Sequence, residues 1–131
     1  MPYQQRGFTM STLPKEPTVA IAEDPFIRRY VRVLLTKHGF QTVEKDTPVA
    51  RRLMESGELR PDVLITNDPG SFAGFAAVLP VLYIAAAPDP AVVARFRSSR
   101  TLRKPFEAAQ LLKAVSELAA DAPVEAAGAP V

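Results

Sequence analysis

The chain has 131 residues, enough for one compact domain and too few for two ordinary ones. Hydrophobic residues make up 47% and charged residues 23%, a balance that excludes a disordered chain. The formal charge of +2 gives little support to a nucleic-acid binder, because the basic residues are dispersed and no aromatic-interleaved basic stripe appears. No apolar run approaches the roughly 20 residues of a membrane span, and the opening lacks the apolar segment of a secretory signal. The absence of cysteine rules out disulfides and thiolate metal sites. A cytoplasmic protein is expected.

Residues 1–16 form a polar, proline-punctuated arm, and residues 121–131 an Ala/Pro-rich tail that cannot bury a core; both are expected to be disordered around a domain at 17–120. "TVAIA", from Thr18, reads as a parallel strand buried on both faces. Asp24 as N-cap and Pro25 at the first helical position then open a helix. Its core face is expected at Ile27, Tyr30, Val31, Leu34 and Leu35, and its stop at Gly39. "FQTVEK" is a second, half-exposed strand. Thr47 and Pro48 are a second cap and first-turn pair, opening a short helix with Val49, Ala50, Leu53 and Met54 that ends near Gly57.

"DVLIT" and "PVLYIAAA" are the third and fourth strands, "DPAVVARFRSS" a short helix and "TLR" a final strand. "FEAAQLLKAVSELAA" is an amphipathic helix with Leu111, Leu112, Val115, Leu118 and Ala119 inward. Five strands alternating with helices predict an α/β fold, a three-layer, doubly wound parallel sheet. Between the third and fourth strands lies only "NDPGSFAGFAAVL", barely the dozen or so residues a parallel crossover requires. The third helix is therefore expected to be shortened or missing, with Phe72 and Phe75 folding back over the sheet.

This order of elements, with "AED" ending the first strand, "PDVLITN" as the third and "RKPF" before the last helix, resembles the receiver domain of bacterial two-component response regulators. The likeness spans roughly Pro17 to Ala120. It implies the flavodoxin-like strand order 2-1-3-4-5, with the ligand site at the carboxyl ends of the strands. In that family an Asp after strand three takes a phosphoryl group, acids after strand one hold Mg²⁺, a Ser or Thr after strand four binds a phosphoryl oxygen, and a Lys before a cis proline completes the site. The carboxylate is the nucleophile, the two cations offset charge on the transferring group, and the hydroxyl donates a hydrogen bond.

Laid on that pattern, Pro61 and Asp62 put Asn67 at the phosphoacceptor position, and an amide cannot form an acyl phosphate. Counting back from Gly39 and Phe40 puts Ala22 and Glu23 at the acidic pair, with Asp24 just beyond. The hydroxyl position falls on Ala85, and the aromatic that reports phosphorylation on Thr101. Lys104 and Pro105 match the family, and the bond between them is expected to be cis. Adjacent strand residues point to opposite faces, so Asp68 is expected to turn the chain before Pro69 and Gly70 rather than replace Asn67. Lys104 is expected to pair with Glu23 or to hydrogen-bond Asn67. Glu23, Asp24, Asp68, Ala85, Lys104 and Pro105 thus outline a vestigial pocket with no catalytic residue. No cofactor is expected; Mg²⁺ enters only if the acidic pocket is functional, with Glu23 and Asp24 as its ligands.

The resemblance, with these departures, implies a phosphorylation-independent pseudo-receiver in two-component signalling that binds a protein partner and is not an enzyme. The alternative is a divergent single-domain response regulator phosphorylated on Asp68 with Mg²⁺. A nucleic-acid role would use Arg28, Arg29 and Arg32 with Arg95, Arg97 and Arg100. The first cluster reads as a solvated helix face, and neither nucleic acid nor membrane is expected as a partner. Receivers commonly pair through the fourth helix, fifth strand and fifth helix. Here that surface would carry Arg95, Arg97, Arg100, Glu107, Gln110 and Lys113, and a homodimer through it is the expected assembly.

Overall fold

A computed structural model of the chain describes residues 16–121. Apart from Glu16 and Asp121, the expected arm and tail lie outside the described residues. In chain order the elements are β1 (Thr18–Ala22), α1 (Pro25–Lys37), β2 (Gln41–Glu44), α2 (Thr47–Ser56), β3 (Val63–Thr66), a 3₁₀ segment (Pro69–Phe75), β4 (Val81–Ala85), a 3₁₀ turn (Pro90–Val93), β5 (Ser99–Arg103) and α3 (Ala108–Ala120). All strand pairings are parallel, and the sheet order is β2-β1-β3-β4-β5. This is the doubly wound 2-1-3-4-5 arrangement expected from the sequence.

The near-continuous apolar runs of β1, β3 and β4 follow from their position, because a central parallel strand buries both faces. Alternation divides their side chains between two cores. Val19, Ile21, Val63, Ile65, Leu82 and Ile84 face α1 and α3, which contribute Val31, Leu35, Leu111, Val115 and Leu118. Ala20, Ala22, Leu64, Val81 and Tyr83 face the other side, where Ala50 and Met54 of α2 meet Phe72, Val93 and Phe96. That second layer has one helix and two 3₁₀ segments. The expected shortening of the third helix is observed, and Phe72, fully buried, fills the space over the sheet, with Phe75 packed beside it.

Helix ends follow local chemistry. Asp24 Oδ1 accepts from the Ile27 N–H at 3.2 Å, with Pro25 inside the first turn. Past His38, Gly39 adopts φ 91°, a left-handed conformation that favours glycine. The cap of α2 is Asp46 rather than Thr47: its Oδ1 accepts from the Val49 N–H at 3.1 Å, which moves the boundary one residue forward.

Two further expectations are corrected. "DPAVVARFRSS" forms only the turn Pro90–Val93, because the Arg97 N–H donates to the Ala76 carbonyl at 2.9 Å and Phe96 turns into the core, so the chain leaves the helical path. The surface expected to dimerise therefore has no fourth helix: Arg95 and Arg97 stand exposed on the loop after the turn, and Arg100 in β5 pairs with Glu117 at 3.1 Å. Tyr30, expected in the core, is 44% exposed, its ring 6.2 Å from that of Phe106.

Candidate functional site at the strand tips

The carboxyl ends of β1, β3, β4 and β5 lie side by side, because Ala22 pairs with Thr66, Thr66 with Tyr83, and Ala85 with Arg103. The residues just beyond them, Glu23, Asn67, Ala86 and Lys104, therefore share one rim of the sheet. The register of β3 against β1 has a local anchor. Asp62 Oδ2 accepts from the Thr18 N–H at 2.8 Å, while the Asp62 N–H donates to the Thr18 carbonyl at 2.8 Å. Asp62, used in the sequence to count to Asn67, thus has its own structural task.

Glu23 is the most unusual group on this rim. Its side chain is 0% exposed and neither carboxylate oxygen has a hydrogen-bond partner. The nearest cation is Lys104, with Nζ 3.9 Å from Glu23 Oε1 and 3.8 Å from Asp24 Oδ2. Burial pushes the Glu23 carboxyl up from 4.5 to about 7; the Lys104 ammonium and, more weakly, the nearby Asp24 N–H, which falls short of hydrogen-bond geometry, pull the other way, and the Asp24 carboxylate adds to the rise. The expected pairing of Lys104 with Glu23 is present, as an ion pair too long for a hydrogen bond. The alternative, a hydrogen bond from Lys104 to Asn67, is not made. The Lys104–Pro105 bond is cis. The backbone N–H of Lys104 donates to the Ala85 carbonyl at 2.9 Å, which joins the tips of β4 and β5.

Asn67 is exposed and makes no side-chain hydrogen bond among the described residues. Asp68 does not take its place. Its N–H donates to Thr66 Oγ1 at 2.9 Å, and its Oδ2 accepts from Ser71 Oγ at 2.6 Å, so the carboxylate serves the turn into the 3₁₀ segment. Thr66 and Ser71, which set that turn, had no role assigned from the sequence; a hydroxyl on each side of an Asp-Pro-Gly turn was the available signal. Ala85 ends β4 without a hydroxyl, and Thr101 is exposed in β5.

Glu23 and Asp24 are the two carboxylates just past β1, and the Lys104 ammonium stands against both. Among the described residues no group of three or more His, Asp or Glu side chains is arranged to hold a metal. No described helix is long and apolar enough to cross a membrane.

Beside the rim lies an apolar groove of about 460 Å³, walled by Ile27 and Tyr30 of α1 on one side and by Pro105 and Phe106 on the other. Phe26 and Lys104 also line it. The sequence reading missed it because it placed Tyr30 in the core.

No protein-family model matches the sequence, and no match is found among curated proteins. Solved structures do match. A response regulator receiver protein from Burkholderia phymatum aligns with a TM-score of 0.68 at 22% identity, covering 80% of this chain and 96% of that one. One from Sinorhizobium medicae WSM419 gives 0.64 at 23%, covering 81% and 96%. The signal receiver domain of an HD domain-containing protein from Pseudomonas fluorescens Pf-5 gives 0.67 at 16%, covering 84% and 91%. At these identities the likeness is one of architecture: the chain has the flavodoxin-like fold of response regulator receiver domains.

Proposed function

We propose that the protein is a receiver-like module of two-component signalling that takes no phosphoryl group, turns over no substrate, and acts by binding a protein partner. The observation that carries this reading is the set of groups on the rim. Asn67, Ala85 and Ala22 stand where phosphoryl transfer needs a nucleophile, a hydroxyl donor and a second acid, while Lys104 is engaged with Glu23 and Asp24. One such departure leaves a weakened site. Three leave no nucleophile, no hydroxyl donor and one acid fewer to hold a metal. Asp68, committed to Ser71 and the turn, does not favour the alternative of an acceptor at that position.

The test is incubation with Mg²⁺ and acetyl phosphate or a beryllofluoride salt, read by intact mass and by the backbone amides of residues 66–70, 85–86 and 103–104. Unchanged mass and unmoved amides are expected. Stoichiometric modification would overturn the reading, and an adduct abolished by Asp68→Ala would replace it with a divergent response regulator.

A further inference from the structure

Phe72 does not fill all of the space that the shortened third helix leaves. Two hollows remain, and Phe75 borders both. The larger, about 480 Å³, lies between Arg51 and Glu55 of α2 and the small residues Gly70, Ser71, Ala73 and Gly74 of the 3₁₀ segment. The smaller, about 180 Å³, is apolar, and Met54, Leu59, Phe75, Val78 and Leu79 line it. Val78 is 54% exposed, and among the described residues no other large apolar side chain of this layer is left so open. An apolar cavity of about 150 Å³ accepts a benzene ring, so the smaller hollow has room for an aromatic or long aliphatic side chain.

The place where the chain enters the domain defines the occupant. Asp62 and Thr18 exchange two hydrogen bonds of 2.8 Å, which fix the start of β1 beside the start of β3. Pro61, the residue before Asp62, lines the apolar hollow. Residues 1–15 therefore join the domain on the strand next to it. An extended chain advances at most about 3.6 Å per residue, so Leu13 reaches no farther than about 14 Å from Pro17, and Phe8 no farther than about 32 Å. These 15 residues include Tyr3, Phe8, Met10 and Leu13, with two basic residues and no acid. Phe8 and Met10 are two apart, the spacing that puts both side chains on one side of an extended chain.

We infer that residues 8–13 of this chain lie along the groove between α2 and the 3₁₀ segment, with Phe8 and Met10 seated against Met54, Phe75 and Val78. The arm thereby completes the layer that the shortened third helix leaves thin. Residues 122–131 fit less well. Ser98 Oγ donates to Asp121 Oδ2 at 2.9 Å, which holds the end of α3 at the start of β5 on the sheet edge, and the segment that follows has no aromatic residue, leucine or methionine. A second copy would bring in the exposed Phe26 of α1, from the opposite face of the sheet. That contact is heterologous and gives rings or open filaments rather than a closed pair. An external partner finds little charge to read, because Arg51 pairs with Glu55 at 3.0 Å and Arg60, bonded to the Gly57 carbonyl at 3.3 Å, offsets Glu58. Another hollow beside Pro17 and Phe40 lies within reach, but Gly39, Ser116, Ala119 and Ala120 give it little apolar depth.

The inference is independent of the proposed function, and its test uses neither metal nor phosphoryl donor, so each stands or falls by its own experiment. The chain has no cysteine, so Ser11→Cys provides a single site for a nitroxide on the full chain. In isotope-labelled protein the amides of residues 54–61 and 73–79 are expected to broaden, and those of residues 38–40 and 116–120 to stay sharp. Adding Phe8→Ser and Met10→Ser is expected to abolish the broadening. Val78→Asp, at an exposed position outside both core clusters, is expected to weaken it without unfolding the domain. Uniform broadening, none at all, or a pattern centred on residues 38–40 and 116–120 would overturn the inference, as would one that survives loss of Phe8 and Met10. Tagged protein without isotope is also mixed with untagged labelled protein. Sharp amides are expected there; broadening of residues 54–61 and 73–79 in that mixture would overturn docking within one chain and assign the groove to the arm of a second copy.

Discussion

Burial of Glu23 without a hydrogen-bond partner makes the stability of the fold depend on pH in a direction opposite to that of most carboxylates. A paired or hydrogen-bonded carboxylate has a depressed folded value and loses stability on acidification. Glu23 is held at about 7 against an ordinary 4.5, so between those values the folded chain binds more protons than the unfolded one. Its contribution is fully present below about 4.5 and is lost as pH rises to about 7. At about 1.4 kcal/mol per pH unit, the gap is worth at most about 3.5 kcal/mol. The perturbation is Glu23→Gln, which keeps the shape and removes the titration. Urea unfolding of both proteins at pH 5, 6, 7 and 8 isolates the term, because every other carboxylate cancels in the difference. The variant is expected to match the parent within about 1 kcal/mol at pH 5 and to exceed it by about 1–3 kcal/mol at pH 8. Parallel stability curves across the range would refute the argument and show that the carboxylate is solvated or compensated in the folded state.

Lys104→Met removes the cation nearest Glu23; it is expected to cost about 1–2 kcal/mol at pH 8 and little at pH 5, and to move the midpoint of the parent-minus-Gln difference to higher pH, measured by the same urea series. Phe72→Ala opens a cavity under the 3₁₀ segment that replaces the third helix and is expected to cost about 3–5 kcal/mol, read by urea or thermal unfolding. Asp46→Ala deletes the cap of α2 for about 1 kcal/mol, while Thr47→Ala is expected to change stability by under half that; equal losses would return the cap to Thr47.

The central strands were legible because burial on both faces leaves no room for polar residues, so "TVAIA", "DVLIT" and "PVLYIA" reveal themselves without alternation. The cap of α1 was legible because only Asp24 stands before Pro25; that of α2 was placed one residue late because Asp46 and Thr47 are both good caps. Val92, Val93 and Phe96 have helical spacing, yet that spacing serves equally to anchor a 3₁₀ turn and a returning loop, and the bond from Arg97 to Ala76 that decides between them joins distant segments. Tyr30 sits at the border between the core sector of α1 and the solvent sector, where periodicity alone assigns nothing. At the strand tips, counting from Pro61 and Asp62 pointed to Asn67, and the Lys104-Pro105 pair to the end of β5; Asn67 and Lys104 do lie just past their strands. Periodicity could not show that Glu23 lies buried with both oxygens unpaired, since that follows from packing around a single Lys104 ammonium.

Switching by a bound group requires that the group contact two arrangements of the protein differently, and a ligand without differential affinity shifts nothing however tightly it binds. On the reading proposed above, Ala85 and Thr101 stand where the receiver family carries a responding hydroxyl and aromatic ring, and they offer neither. The tips of β4 and β5 are joined instead by the backbone bond from Lys104 to Ala85, and Lys104 is held by carboxylates that follow β1. Restoring the nucleophile is therefore insufficient to restore a switch. Asn67→Asp, given Mg²⁺ and beryllofluoride, is expected to show at most local shifts at residues 66–68, with the amides of residues 85–86 and 99–104 unmoved. Propagation of shifts into β5 would mean that Lys104 alone transmits occupancy of the rim, and the argument from the missing hydroxyl and ring would fall.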